Sequence, residues 1–228
     1  FEDLDKYADG KLITYTAQEV TTPAGYEKEE VHTTEGTTIT NTHVPETVEV
    51  NGSKTWTDAD NQDGIRPEKI TIRLYANGIE AGTKEVTAQS GWTWEFTNLP
   101  KYEAGEEIAY TITEDKVDGY TTEVTGFDAE NTHAPEKTSL AGNKVWDDAD
   151  NQDGVRPDSI TVQLYADGEA VEGKLAVLNE SNVWTATFED LDKYADGKLI
   201  VYTAQEVSVP VGYSMEVSHD KETLLTTI

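Results

Sequence analysis

The chain has 228 residues, with 17 Lys and Arg against 45 Asp and Glu, a formal net charge of −28. Such a balance argues against nucleic acid as a partner, because phosphate binding needs clustered Lys and Arg, and it disfavours an anionic membrane surface. The absence of cysteine excludes disulfides, thiolate catalysis, zinc–thiolate sites and iron–sulfur clusters.

Taken in chain order, the sequence first reads as repeats. Residues 1–45 open it, and Phe1 to Val20 return almost unchanged as Phe188 to Val207, at an offset of 187. This stretch is expected to be the C-terminal part of a module, too short at 45 residues to build a core alone. Residues 46–135 form a complete module. Its run from Val50 through Lys54, Trp56, Asp58, Asp60, Asn61, Gln62, Asp63, Gly64 and Arg66 to Pro67 returns 90 residues later, from Leu140 to Pro157. Residues 136–228 form the next module, expected to lack its last strand. The chain therefore reads as a window on a tandem array with a unit of about 90 residues, joined by short linkers at Pro45 and Pro135.

Strand signals dominate every module. Ile70, Ile72 and Leu74 alternate with polar positions, as do Trp92, Trp94 and Phe96, and Val183, Thr185 and Thr187 lead into Phe188. Asn77-Gly78, Asp118-Gly119, Asp167-Gly168 and Asp196-Gly197 mark turns. No segment sustains a helical period. Short strands with frequent turns predict an all-β chain of antiparallel sandwiches, about seven strands each, of Ig-like or related topology.

Period-2 parity then places three polar residues on the core face. Val48, Val50, Gly52, Lys54 and Trp56 share one parity, repeated by Leu140, Gly142, Lys144 and Trp146. Tyr110, Ile112 and Glu114 share another, matched by Tyr15, Ala17, Glu19 and by Tyr202, Ala204, Glu206. Phe127, Ala129 and Asn131 align in the last strand, as do Ile39 and Asn41. An inward Lys, Glu and Asn can be read two ways. One is a buried Lys–Glu ion pair with Asn as a hydrogen-bonding neighbour. The other is chemical: a desolvated Lys is pushed toward the nucleophilic amine and a buried Glu toward the acid that relays protons, so Lys attacks Asn and expels ammonia.

The Lys-x-Trp-x-Asp-x-Asp-Asn-Gln-Asp-Gly-x-Arg-Pro run, followed by Tyr-x-x-x-Glu and Asn-Thr-His, resembles the B-region repeats of Gram-positive collagen adhesins, the CnaB family. The resemblance covers the whole chain. It implies tandem inverse Ig-like (prealbumin-like) sandwiches, each closed by an autocatalytic Lys–Asn isopeptide bond between first and last strands. Carried onto this chain, Lys54, Glu114 and Asn131 are nucleophile, proton relay and acceptor. Lys144 and Glu206 match in the following module, and Glu19 and Asn41 in the preceding segment. Aligning Ile228 with Ile39 puts the acceptor matching Asn131 two residues past Ile228, so no bond is expected at Lys144 within one chain. Head-to-tail pairing of Asn41 with Lys144 of another copy is the alternative.

Other constellations carry less. Asp58, Asp60, Asp63 and Gly64 resemble a calcium loop, but the glycine is seventh rather than sixth and Lys69 stands at position twelve. His43 and His133 stand alone, each after Asn-Thr, and read as strand ends. No cofactor, metal or turnover chemistry is expected. The resemblance implies an extracellular, cell-wall-anchored stalk whose partners are adjacent modules, with host matrix bound through other domains. A ligand-binding repeat and a pilin-like subunit are the alternatives.

Overall fold

The computed structural model describes all 228 residues. The central module is a sandwich of two sheets. One has the order Thr121–Thr125, Asp128–Thr132, Thr47–Thr57, Thr93–Pro100, and the other Tyr110–Glu114, Lys69–Ala76, Ile79–Thr87. Its inner faces meet in a core of Val50, Ile70, Ile72, Leu74, Val86, Trp94, Phe96, Ile112 and Ala129. Seven principal strands make up the module, and a small hairpin of Tyr102–Glu103 and Glu106–Glu107 is added at one end.

First and last strands are neighbours, and they run parallel. Ala129 sits opposite Lys54 and Asn131 opposite Trp56, while every other pairing in the module is antiparallel. The two ends of the module are thus stitched side by side although 73 positions separate Thr57 from Glu130, whose side chains also meet at 2.6 Å. Gly52 permits the approach. A Cβ there would lie 1.8 Å from the Phe127 carbonyl and 2.6 Å from the Trp94 ring.

The turns follow their residues. Asn77 and Gly78 take φ of 49° and 83°, and Asp167 and Gly168 take 50° and 87°, the left-handed pair that a two-residue hairpin needs. The only helical pieces are 3-10 turns at Ala88–Ser90 and Glu180–Asn182, and no helix is long and apolar enough to cross a membrane.

The C-terminal module repeats the plan, with sheets ordered Thr185–Asp192, Lys137–Asn143, Leu225–Thr227, Ser218–Asp220 and Glu169–Asn179, Ser159–Ala166, Tyr202–Glu206. Leu225–Thr227 runs parallel to Lys137–Asn143, in the place of the last strand, so that strand is begun rather than missing. Val183, Thr185 and Thr187 do not face the core. They are exposed, Val183 at φ 55° as the cap of the 3-10 turn, and the inward set is Trp184, Ala186 and Phe188, the counterparts of Trp92, Trp94 and Phe96.

Residues 1–45 contain a hairpin of Glu27–Thr33 and Gly36–Thr42 but no fully buried residue. Tyr15, Ala17 and Glu19 are not in a strand here, because this segment has no counterpart of Lys69–Ala76 for them to pair with.

Candidate functional site

Lys54 comes from the first strand, Glu114 from the end of Tyr110–Glu114, and Asn131 from the last strand, so the site spans both sheets. Strand parity aims all three inward. Lys54 is 5% exposed and Asn131 0%. The Lys54 Nζ lies 3.0 Å from Glu114 Oε2, with both side chains at 0% exposure. Asn131 Nδ2 donates to the other carboxylate oxygen, Oε1, at 2.9 Å. One carboxylate therefore touches amine and carboxamide together.

Contact is not satisfaction. Lys54 Nζ, Glu114 Oε2 and Asn131 Oδ1 are buried without a well-aligned hydrogen bond, which is costly for polar atoms held away from water. Burial pushes the Lys54 ammonium below the ordinary lysine range, and the Glu114 carboxylate opposes that shift. Trp56 closes the far side, its ring 4.8 Å from Nζ.

A roof of loop residues keeps water out. The Trp56 ring meets Trp92 and Tyr120 edge-on at 5.2 and 5.0 Å, and Arg66 stacks on it at 5.5 Å. Arg66 is held by Asp58 through two charge-assisted bonds, Nη2 to Oδ1 at 2.6 Å and Nε to Oδ2 at 3.0 Å. Asp58 Oδ2 also accepts from Tyr120 Oη at 2.8 Å, and Asn61 Oδ1 takes the Arg66 backbone N–H. The long acidic motif is therefore a folded loop around Asp58, and both carboxylate oxygens are spent on protein donors. The guanidinium and the phenol hold the Asp58 carboxyl down to about 2. Asp148, Arg156 and Tyr213 repeat the arrangement in the C-terminal module. The sequence, weighed there only for a calcium loop, did not reveal this network. Its signal was the same Asp-to-Arg spacing in both copies.

The flanking sites are partial. In the C-terminal module Lys144 Nζ lies 3.3 Å from Glu206 Oε1 and 4.3 Å from the Trp146 ring. Neither Glu206 carboxylate oxygen has a hydrogen bond. Asn143 pairs with Thr227, so Ile228 holds the register that Ala129 holds in the central module. In the N-terminal segment Asn41 Nδ2 donates to Glu19 Oε1 at 3.1 Å, and Lys28, opposite Asn41 in the hairpin, sends its Nζ to the Glu19 backbone carbonyl at 3.0 Å rather than to the carboxylate. The pair-and-relay geometry thus exists three times, and all three members meet only around Glu114.

His133 is more than a strand end. Its Nε2 lies 2.8 Å from Asp63 Oδ2 and its Nδ1 2.8 Å from the Gly119 carbonyl. His43 instead packs its ring against Tyr26 at 5.4 Å.

Comparison with known proteins bears on the family and the fold. The family described as Cna protein B-type domain matches residues 1–42, 50–132 and 140–227. A collagen adhesin of Staphylococcus aureus is 45% identical over 226 residues, covering 98% of this chain and 19% of the adhesin. The crystal structure of two B repeat units of the S. aureus collagen binding protein aligns with 98% of this chain and 60% of its own, at 43% identity and a TM-score of 0.55. The chain spans about a fifth of the length of that adhesin.

Proposed function

The chain belongs to the Cna protein B-type domain family, and from that premise we propose that it is a load-bearing spacer of a bacterial surface protein, closed by an intramolecular isopeptide bond between Lys54 and Asn131. The observation that carries the reading is Glu114, a fully buried carboxylate touching both the amine and the carboxamide. In the reaction the Lys54 amine, neutral through burial, attacks Asn131 Cγ. The new N–C bond forms as the Cγ–Nδ2 bond breaks. Glu114 takes the proton from Nζ and returns it to Nδ2, which leaves as ammonia. The dry roof of Trp56, Trp92 and Tyr120 keeps water from competing for the carbonyl. Glu114 emerges unchanged, so the chemistry is a single self-modification and not turnover.

The strand order explains why this bond suits a spacer. Force enters at the start of the first strand and leaves at the end of the last. Because the two lie parallel and adjacent, it shears their whole ladder at once. An isopeptide bond there would carry the load past the 76 residues between Lys54 and Asn131, leaving only linkers in series. From Asn131 to Lys144 is a step of 13 positions, as it is from Asn41 to Lys54.

The cell-surface assignment, with anchoring to the wall, rests on the kinship to a staphylococcal collagen adhesin. Collagen is in that relative's name. Here the modules are read as carrying tension for a binding domain elsewhere, with neighbouring modules as their direct partners, and no membrane or nucleic acid is assigned. An intact mass measured in denaturant decides the chemistry. A deficit of one ammonia supports the bond, and a mass equal to the sequence mass refutes it.

A further inference from the structure

The surface where the central and C-terminal modules meet is built from residues that the isopeptide chemistry does not use. Asp63 is 7% exposed, and its Oδ2 accepts twice, from His133 Nε2 and from the Glu136 backbone N–H at 2.8 Å. Glu136 lies in the linker, just past Pro135. Its carbonyl accepts from the Lys193 backbone N–H at 3.0 Å, and its carboxylate meets Lys193 Nζ at 2.6 Å. One linker residue is therefore gripped by the preceding module through its N–H and by the following module through its oxygens.

Beside this grip the backbones touch. The Gly197 N–H donates to the Gln62 carbonyl at 3.0 Å. A Cβ on Gly64 would lie 2.4 Å from Gly197 Cα and one on Gly197 3.0 Å from Gly64 Cα, so the fit requires glycine at 64 and is tight at 197. Both residues also have positive φ, 70° and 73°, where glycine is at ease.

We infer that Gln62, Asp63 and Gly64 form a docking face for the glycine-bearing hairpin turn of the next module, and that the protonated ring of His133 is the lock that holds this face closed. Both His133 nitrogens face acceptors, the Gly119 carbonyl and the Asp63 carboxylate. A histidine donates from both nitrogens only as imidazolium, so a neutral ring must forfeit one contact. If the Asp63 contact goes, a buried carboxylate loses its countercharge and its grip on Glu136 weakens. The other groups facing the ring are the Tyr120 ring at 5.5 Å and Asp58, whose charge is answered by Arg66. Across the linker stand the Glu136 carboxylate and its partner Lys193. No further cation is placed to replace the imidazolium.

The joint is consequently fixed while His133 holds its proton and loosens as the proton leaves. The Asp63 carboxylate raises the His133 pKa above its ordinary 6.5. Stabilisation by a raised group is complete below the unfolded value and disappears as pH climbs through the folded one. Loosening therefore comes at a higher pH than the one at which an unfolded histidine loses its proton. The Gln62-Asp63-Gly64 sequence recurs as Gln152-Asp153-Gly154.

The chain has no cysteine, so two labels can be placed without background. Spin labels at Glu123→Cys and Glu172→Cys, both exposed strand positions in adjacent modules, report the joint by pulsed dipolar distances. At about pH 5.5 the inference expects one narrow distance, and at about pH 9 loss of that narrow distance, on either side of the histidine range. His133→Gln should abolish the pH response. A distribution of equal width at both pH values, or an unchanged response in His133→Gln, overturns the inference. The wild-type pH series needs no variant to fold. Nitrogen-15 shifts of the ring add a direct reading: loss of the ring proton at a higher pH than in the unfolded chain supports the lock, and loss at the same or a lower pH refutes it.

Discussion

Replacing Glu114 with Gln is the sharpest perturbation of the proposed bond. The side chains are isosteric, so the contact with the Asn131 amide is nearly kept, while the group that moves the proton is gone. The bond should not form. The constraint then lost is a loop of 76 residues between Lys54 and Asn131, worth about 4–5 kcal/mol if closure entropy behaves as it does for a disulfide. For a module of this size each kcal/mol moves the melting temperature by about 4–8 °C, so the central module should melt roughly 20–35 °C lower. A second effect must be separated from the first. Glu114→Gln also leaves Lys54 buried without a carboxylate, and breaking a buried pair costs about 3–5 kcal/mol unless the amine gives up its proton. Lys54→Met alone would strand the Glu114 carboxylate in the same way, so the double variant Lys54→Met/Glu114→Gln, which removes the bond and both charges, isolates the closure contribution. Calorimetry with intact mass on all three proteins is the assay. The reasoning fails if Glu114→Gln still loses ammonia at the wild-type rate, or if the double variant melts within about 5 °C of the parent.

Four further outcomes follow from the same contacts. The isolated chain should lose one ammonia and not two, because Lys144 and Glu206 have no carboxamide beside them. Boiled samples should run as monomer on a denaturing gel, and a ladder of multimers would mean that Asn41 of one copy has reached Lys144 of another. Gly52→Ala should destabilise the central module by about 3 kcal/mol and slow the bond, since its methyl would strike the Phe127 carbonyl, whereas Gly142→Ala meets nothing closer than 3.8 Å and should be tolerated. Equal cost at the two sites by chemical denaturation would contradict this. Asp58, held down to about 2 against an ordinary 3.8, stabilises the fold above the unfolded value and stops doing so as pH falls through the folded one. The gap corresponds to about 2 kcal/mol. Asp58→Asn should remove that dependence between about pH 4 and 2, read from urea midpoints.

The inward Lys, Glu and Asn were legible in the sequence because strand parity is a strict period of 2, and a charged residue out of phase with its neighbours stands out. Lys54 between Gly52 and Trp56 is such a case. The repeats strengthened the reading by offering the same parity again at Lys144. What escaped was set by tertiary contact alone. Nothing local links Asp63 to His133, 70 positions apart, or Asp58 to Tyr120, 62 positions apart. The error at Val183 has another origin: a 3-10 turn at Glu180–Asn182 and two left-handed residues, Val183 and Trp184, shift the phase before the strand begins. Parity counted backwards from Phe188 reaches Trp184 as the inward residue. Parity counted forwards from Val183 does not.

The loop from Asp58 to Arg66 bears on both the bond and the joint, and its two ends face different ways. Asp58 and Arg66 turn inward and fix Trp56 over Lys54, so they govern the dryness in which an amine can stay neutral. Asp63 and Gly64 turn outward and hold the linker and the next module's turn. Gly119 and Tyr120 join the two functions: the Gly119 carbonyl takes His133 Nδ1, and the adjacent Tyr120 hydroxyl donates to Asp58. His133 itself follows Asn131 by two residues in the strand end that a bond would anchor. Fixing Asn131 to Lys54 therefore also fixes the position from which His133 reaches Asp63. A module without the bond should hold its successor less firmly even at low pH. The doubly labelled chain carrying Glu114→Gln makes that measurable, as a broader distance at about pH 5.5 than the parent gives. If the two widths coincide, bond and joint are independent devices that merely share a loop.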